Sequence, residues 1–168
     1  MDNFDSFFKS VTTDPSTNTQ ISVLGQTKNI KAMAHLTTIN YLKNQGDYYK
    51  IIFTDESFLL IIPADKEIYY APSLLGKASE ISDDMIGVEE TIKYNGKEYY
   101  LANKDDYQFV LKLLVGSPLD IEGECRFSDY FPKEGPKEFL SLGWLSKTGH
   151  RVDINCQIIN IDNINFIK

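Results

Sequence analysis

Apolar and polar side chains take turns along short runs divided by turn formers, the period of two that belongs to strands with one buried face. The clearest instance spans Thr91–Tyr100, where Asn95-Gly96 separates two alternating runs. Asn-Gly favours the two-residue type I′ corner, because both central residues must accept positive φ. A loop of those two residues sets Tyr94 opposite Lys97, Lys93 opposite Glu98, Ile92 opposite Tyr99 and Thr91 opposite Tyr100. Each such cross-strand pair contributes about 0.2–1 kcal/mol. The next run places Tyr107, Phe109, Leu111, Leu113 and Val115 on one side, which predicts a third adjacent strand of a meander.

The same period recurs on both sides of this hairpin. Thr19–Leu24 reads as an opening strand, whereas Ile30–Leu42 fits either the strand or the helix period. Tyr49, Ile51 and Phe53 alternate with Tyr48, Lys50 and Ile52. A turn over Thr54–Ser57 leads into the apolar run Phe58–Ile62, stopped by Pro63, and Ala64-Asp65-Lys66 leads into Ile68-Tyr69-Tyr70. Ala71–Gly87 is expected to be a loop or short helix. Gly116-Ser117-Pro118 is a stop, followed by Leu119–Tyr130, a loop at Pro132–Lys137 and a strand at Phe139–Leu145. His150–Ile159 alternates with Val152, Ile154, Cys156 and Ile158 inward and Arg151, Asp153, Asn155 and Gln157 outward. Ile159–Ile167 is expected to dock as a final edge or cap. Short strands at about 8–12-residue spacing predict a mainly β fold, a single antiparallel β barrel or sandwich with a short N-terminal helix.

That helix is read over Asp2–Val11, with Phe4, Phe7 and Phe8 at helical spacing and Asp2 or Asn3 as its cap. Thr12–Gln20 is rich in turn formers and reads as a polar linker. The expected organisation is an N-terminal arm and linker over residues 1–20 and one β-rich domain over 21–168. Two destinations are open to the three phenylalanine rings: the parent domain or a partner.

Composition narrows the class. A chain of 168 residues is long enough for one core without disulfide or metal staples. Hydrophobic content of 42% with 24% charged residues is globular rather than disordered. A net charge of −7 and a pI near 4.8 oppose a phosphate-tracking surface, so no nucleic-acid partner is expected. The N-terminus carries acidic residues where a secretory signal would carry basic ones, and Phe58–Ile62 is too short to span a bilayer. A cytoplasmic protein without membrane insertion follows as the expectation.

No catalytic signature stands out. Cys125 and Cys156 lack the spacing of a zinc or Cys-x-x-Cys site and read as buried thiols. His150 and Cys156 share a parity but lie roughly 20 Å apart along an extended strand, too far to act together. Asp120, Glu122 and Glu124 recur at every second position, so a strand would set three carboxylates on one face. Hard divalent cations take such oxygen ligands, and a metal-dependent hydrolase is the alternative reading. Tyr48-Tyr49, Tyr69-Tyr70 and Tyr99-Tyr100 each send one ring to either side of a strand. If the outward rings cluster, Tyr48, Tyr70 and Tyr100 form a docking surface for a protein, with Phe4, Phe7 and Phe8 as a second element.

Phe58-Leu59-Leu60 followed by Glu67-Ile68, Ile86-Gly87 leading into Tyr94-Asn95-Gly96-Lys97-Glu98-Tyr99, Glu138–Leu142, and the ending Val152-Asp153-Ile154 to Ile159-Asn160-Ile161-Asp162 resemble the YjfK-like family of uncharacterised bacterial proteins. The resemblance covers roughly residues 47–168; after Tyr99 the family's Arg and Trp are replaced by Tyr100-Leu101-Ala102. Glu122-Gly123-Glu124 with Asp129-Tyr130 is similar to a second uncharacterised bacterial domain family from comparable gene neighbourhoods. Both resemblances imply an accessory role in envelope-stress systems, beside phage-shock-type coiled-coil proteins and small membrane proteins. They imply no activity and no functional residues. The expected function is a non-enzymatic, cofactor-free module that binds a protein partner such as a membrane-associated stress protein; an immunity or antitoxin protein also fits the size and acidity.

Overall fold

The computed structural model describes residues 3–13, 20–37, 47–55, 57–72, 91–94, 96–104, 107–112, 125–132, 138–145 and 150–167. They form one α-helix, α1 (Asn3–Thr13), and twelve strands. The strands are β1 (Gln20–Val23), β2 (Gln26–Thr37), β3 (Asp47–Phe53), β4 (Phe58–Ile62), β5 (Glu67–Ala71) and β6 (Thr91–Tyr94). They continue with β7 (Lys97–Lys104), β8 (Tyr107–Lys112), β9 (Cys125–Pro132), β10 (Glu138–Leu145), β11 (His150–Ile159) and β12 (Ile164–Phe166). A 3-10 turn, η1 (Ile161–Asn163), precedes β12. The fold is therefore mainly β and antiparallel, with the short N-terminal helix that the phenylalanine spacing predicts.

Pairing runs in the order β12-β1-β2-β3-β4-β5-β11-β10-β9-β7-β6, and β8 adds to β2. The Asn-Gly hairpin has the predicted register, Tyr94 to Lys97 through Thr91 to Tyr100, and Gly96 takes φ of 77°. The meander does not continue into β8. Only two residues separate β7 from β8, yet β7 pairs with β9 and β8 pairs with β2. Counting directions through the antiparallel ladders shows β7 and β8 running the same way, so no hairpin joins them. Through β8 the pairing path returns to β2, so the sheet curls in the manner of a barrel.

The core explains this arrangement. One face of β1–β5 meets α1: Phe4, Phe7 and Val11 pack with Ile21, Val23, Ile30, Met33, Ile51, Phe53, Leu59, Ile61, Ile68 and Ile164. The opposite face is equally dry, with Ala32, Ala34, Leu36, Tyr48, Ile52, Phe58, Leu60, Ile62, Tyr69 and Ala71 all at 2% exposure or less. All five residues of β4 are at 0%. A strand buried on both faces reads as a continuous apolar run, as Phe58–Ile62 does.

Two local features break the simple period. Ile30 pairs with Phe53 and Ala32 with Ile52, so Lys31 is an extra residue in β2, and this bulge lets Ile30 and Met33 both face the helix side. That shift breaks the strict alternation of β2, which is why the sequence from Ile30 can be read at either period. Ile158, expected inward, is 49% exposed: the described part of β10 reaches only Gln157, so among the described residues Ile158 pairs with β5 alone. Cys156, the inward neighbour on the same side, is buried as expected.

The helix shares the sheet's core, so residues 3–13 do not stand apart as an arm; the linker residues 14–19 lie outside the described residues. Replacing Phe7 with Ala is expected to cost about 3–5 kcal/mol, read from urea denaturation. A chain lacking residues 1–13 is expected to lose its cooperative transition; an unchanged midpoint would show that the sheet needs no helix. The β1–β2 corner supplies a change of opposite sign. Leu24 takes φ of 50° and Gly25 φ of 80°, while the Leu24 side chain is 51% exposed. A left-handed leucine is strained, and Asn tolerates that region. Leu24→Asn is therefore expected to stabilise the chain by about 1 kcal/mol, seen as a higher Tm.

Candidate functional site: a groove beside an open strand edge

Helix α1 lays two lines of residues along its length. Phe4, Phe7 and Val11 point into the core, and Asn3, Ser6 and Ser10, at the same spacing one step round, flank a groove. The far wall is built by the end of the chain. Asn160 caps η1 by accepting a hydrogen bond at its side-chain oxygen from the Asp162 N–H, at 2.8 Å. The turn then delivers the chain into β12, where the Phe166 ring stacks on Phe7 with centroids 5.4 Å apart. The space between holds about 330 Å³, lined by these helix residues with Ile161, Asp162, Ile164, Asn165 and Phe166.

β12 ends the pairing order, so one side of it carries no strand among the described residues. Its inner hydrogen bonds fix which backbone groups face outward. Leu24 N–H donates to Asn163 O at 2.9 Å, and Ile167 N–H donates to Gln20 O at 3.0 Å. Alternation in an antiparallel ladder puts Asn165, opposite Ser22, in the same hydrogen-bonded set. Ile164 and Phe166 therefore turn their backbone groups away from β1. The Ile164 N–H is taken by Ile161 O, leaving the Ile164 carbonyl and both backbone groups of Phe166 directed outward. An extended backbone can pair with those three groups.

The aromatic surface expected from the sequence is not assembled. Phe4 and Phe7 are core residues, and Phe8 is half-buried edge-on against Tyr49, centroids 5.3 Å apart. Tyr48 is wholly buried on the face away from the helix, because this sheet is dry on both sides and opposite parity does not mean outward. Tyr70 is half-buried on the helix side, and Tyr100 is half-buried opposite Thr91, near the other end of the pairing order. Asp120, Glu122 and Glu124 lie outside the described residues. Among the described residues no three His, Cys, Asp or Glu side chains converge as a metal site. No helix among them is long and apolar enough to cross a membrane.

An ion pair sits at the β3–β4 corner. Lys28, buried on the helix side, reaches the Asp55 carboxylate, whose other oxygen accepts from the Ser57 N–H at 3.0 Å and from the Ser57 hydroxyl. The Lys28 ammonium also lies 5.7 Å from the centre of the Tyr70 ring. Burial alone would lower the Lys28 pKa, but hydrogen bonds to Asp55 and Tyr70 outweigh it and hold the ammonium above its ordinary range. Burial would likewise raise Asp55, yet Lys28 and Ser57 hold its carboxyl below the usual value. With Thr54 N–H bonded to Asn29 O at 2.9 Å, the cluster ties the β3–β4 corner to β2. It is a structural clasp. On the other face a second buried lysine, Lys50, sets its ammonium 4.8 Å from the Phe58 ring centre.

The clasp carries a pH signature. Asp55, depressed, stabilises above the ordinary carboxylate value of 3.8 and loses that contribution as pH falls through its folded pKa. Lys28, raised, contributes below its ordinary 10.5 and loses that contribution as pH rises through its folded value. Asp55→Asn is expected to cost about 1 kcal/mol at neutral pH, Asp55 being half-exposed and screened. Denaturant midpoints of the two chains should converge as pH falls below the ordinary carboxylate value of 3.8 and through the lower folded pKa of Asp55, and a gap that stays constant in acid would contradict the assignment. No family model, curated protein or solved structure matches this chain.

Proposed function

We propose that this protein is a binding module that takes up an extended segment of a partner protein by strand addition along β12. The observation that carries the reading is the set of outward-directed backbone groups at Ile164 and Phe166, beside a groove walled by α1. Strand addition draws affinity from main-chain hydrogen bonds and specificity from pockets for alternate side chains. The groove supports both, since its Phe7, Ile161, Ile164 and Phe166 surfaces lie next to the open edge. The partner is a protein rather than a nucleic acid, in keeping with the net charge of −7. The resemblance to the YjfK-like family adds an accessory role beside membrane-associated envelope-stress proteins in the bacterial cytoplasm.

The test is selection of random linear peptides on the full chain, followed by amide exchange with and without a selected peptide. A bound peptide should slow exchange at Phe166, and N-methylation of alternate peptide nitrogens should abolish binding. The reading fails if no peptide is enriched, or if bound peptides leave Phe166 exchange unchanged.

A further inference from the structure

The groove also has a chemical preference, and this inference rests on the strand-addition reading. Phe7, Ile161, Ile164 and Phe166 give it an apolar strip between polar residues of α1 and η1, and Asp162 is the one charged residue among those lining it. The Asp162 N–H is held by Asn160, which anchors the residue at the η1 end of the open edge. Its side chain is exposed, and among the described residues no cation pairs with it. Lys66, on the other flank of α1, is engaged by Asp5 at 3.2 Å.

The register of an added strand assigns its side chains. Peptide residues beside Ile164 and Phe166 share the helix-side face that those two apolar side chains occupy, while the intervening residue, beside Asn165, points the other way. Past Ile164 the strand comes to η1, whose Asp162 lines the same groove. We infer that the groove selects an extended peptide with apolar residues at alternate positions and a lysine or arginine at the end that meets η1. The net charge of −7 acts in the same direction, drawing cationic segments to the surface before they dock.

The probes are three labelled peptides with a common Val-Thr-Val-Thr core, ending at both termini in Lys, Gln or Glu, titrated into the full chain at low salt with anisotropy as readout. The Lys peptide is expected to bind about fivefold more tightly than the Gln peptide, the upper end of what one exposed ion pair supplies, and the Glu peptide most weakly. Asp162→Asn should remove most of the Lys advantage and leave the Gln peptide's affinity within about twofold. If all three peptides bind alike, or the ranking survives Asp162→Asn, the charge preference is overturned while strand addition stands. If none binds and Phe166 exchange is unaffected, strand addition itself falls and takes this inference with it.

Discussion

Exclusion of water from both faces of β3–β5 is the constraint on which this structure depends. A sheet that is dry on one side needs one covering layer; β4, dry on both, needs two. The amphipathic helix supplies one of them, filling the helix side with Phe4, Phe7 and Val11. The curl of the sheet turns the other face inward. Burial of this kind contributes about 25 cal/mol for each Å² of apolar surface removed from water, so losing either cover exposes the most apolar segment in the chain.

Charged groups inside this frame are accommodated rather than excluded. Lys28 is compensated by Asp55 and by Tyr70, with the Asp55 carboxylate also held by Ser57. Lys31 is the extra residue of a bulge, and Lys50 lies over an aromatic ring. A buried ammonium without compensation would cost several kcal/mol. Breaking the Lys28 clasp would therefore loosen the β3–β4 corner beyond the loss of one ion pair, because the carboxylate organises that turn as well.

Much of the architecture was legible in the sequence, because local geometry wrote it there. Asn95-Gly96 carries its own register, Phe58–Ile62 its own burial, and Phe4, Phe7 and Val11 the stripe of an amphipathic helix. Alternation does mean one wet face in the Asn-Gly hairpin, where Ile92 and Tyr99 are buried and Lys93 and Glu98 exposed, but not in β3, which is dry on both sides. Alternation with Tyr49, Ile51 and Phe53 puts Tyr48 on the second face of β3, and the cover over that face comes from distant chain segments that no local pattern reveals. The β7–β8 junction is illegible for a similar reason: two polar residues between strands resemble a hairpin, and only the remote pairing partners, β9 and β2, show that the two strands do not pair with each other. The groove was half legible. The last segment was expected to be an edge, but its position beside α1 brings together Phe7 and Phe166 from opposite ends of the chain.

The passage from β7 to β8 has an implication for how the chain assembles. Hairpins such as β3–β4 and β6–β7 close over neighbouring residues, but β5 must wait for β11 and β2 for β8, strands made much later. Ordering two remote segments costs loop entropy before any contact repays it, which slows folding. During that interval the apolar flanks of β2 and β5 stand unpartnered, a hazard for self-association at high concentration. On the ribosome, the N-terminal helix and the first five strands emerge long before their remote partners, and the early contacts between Phe4, Phe7 and β3–β5 would shield one flank of that unfinished sheet until synthesis ends.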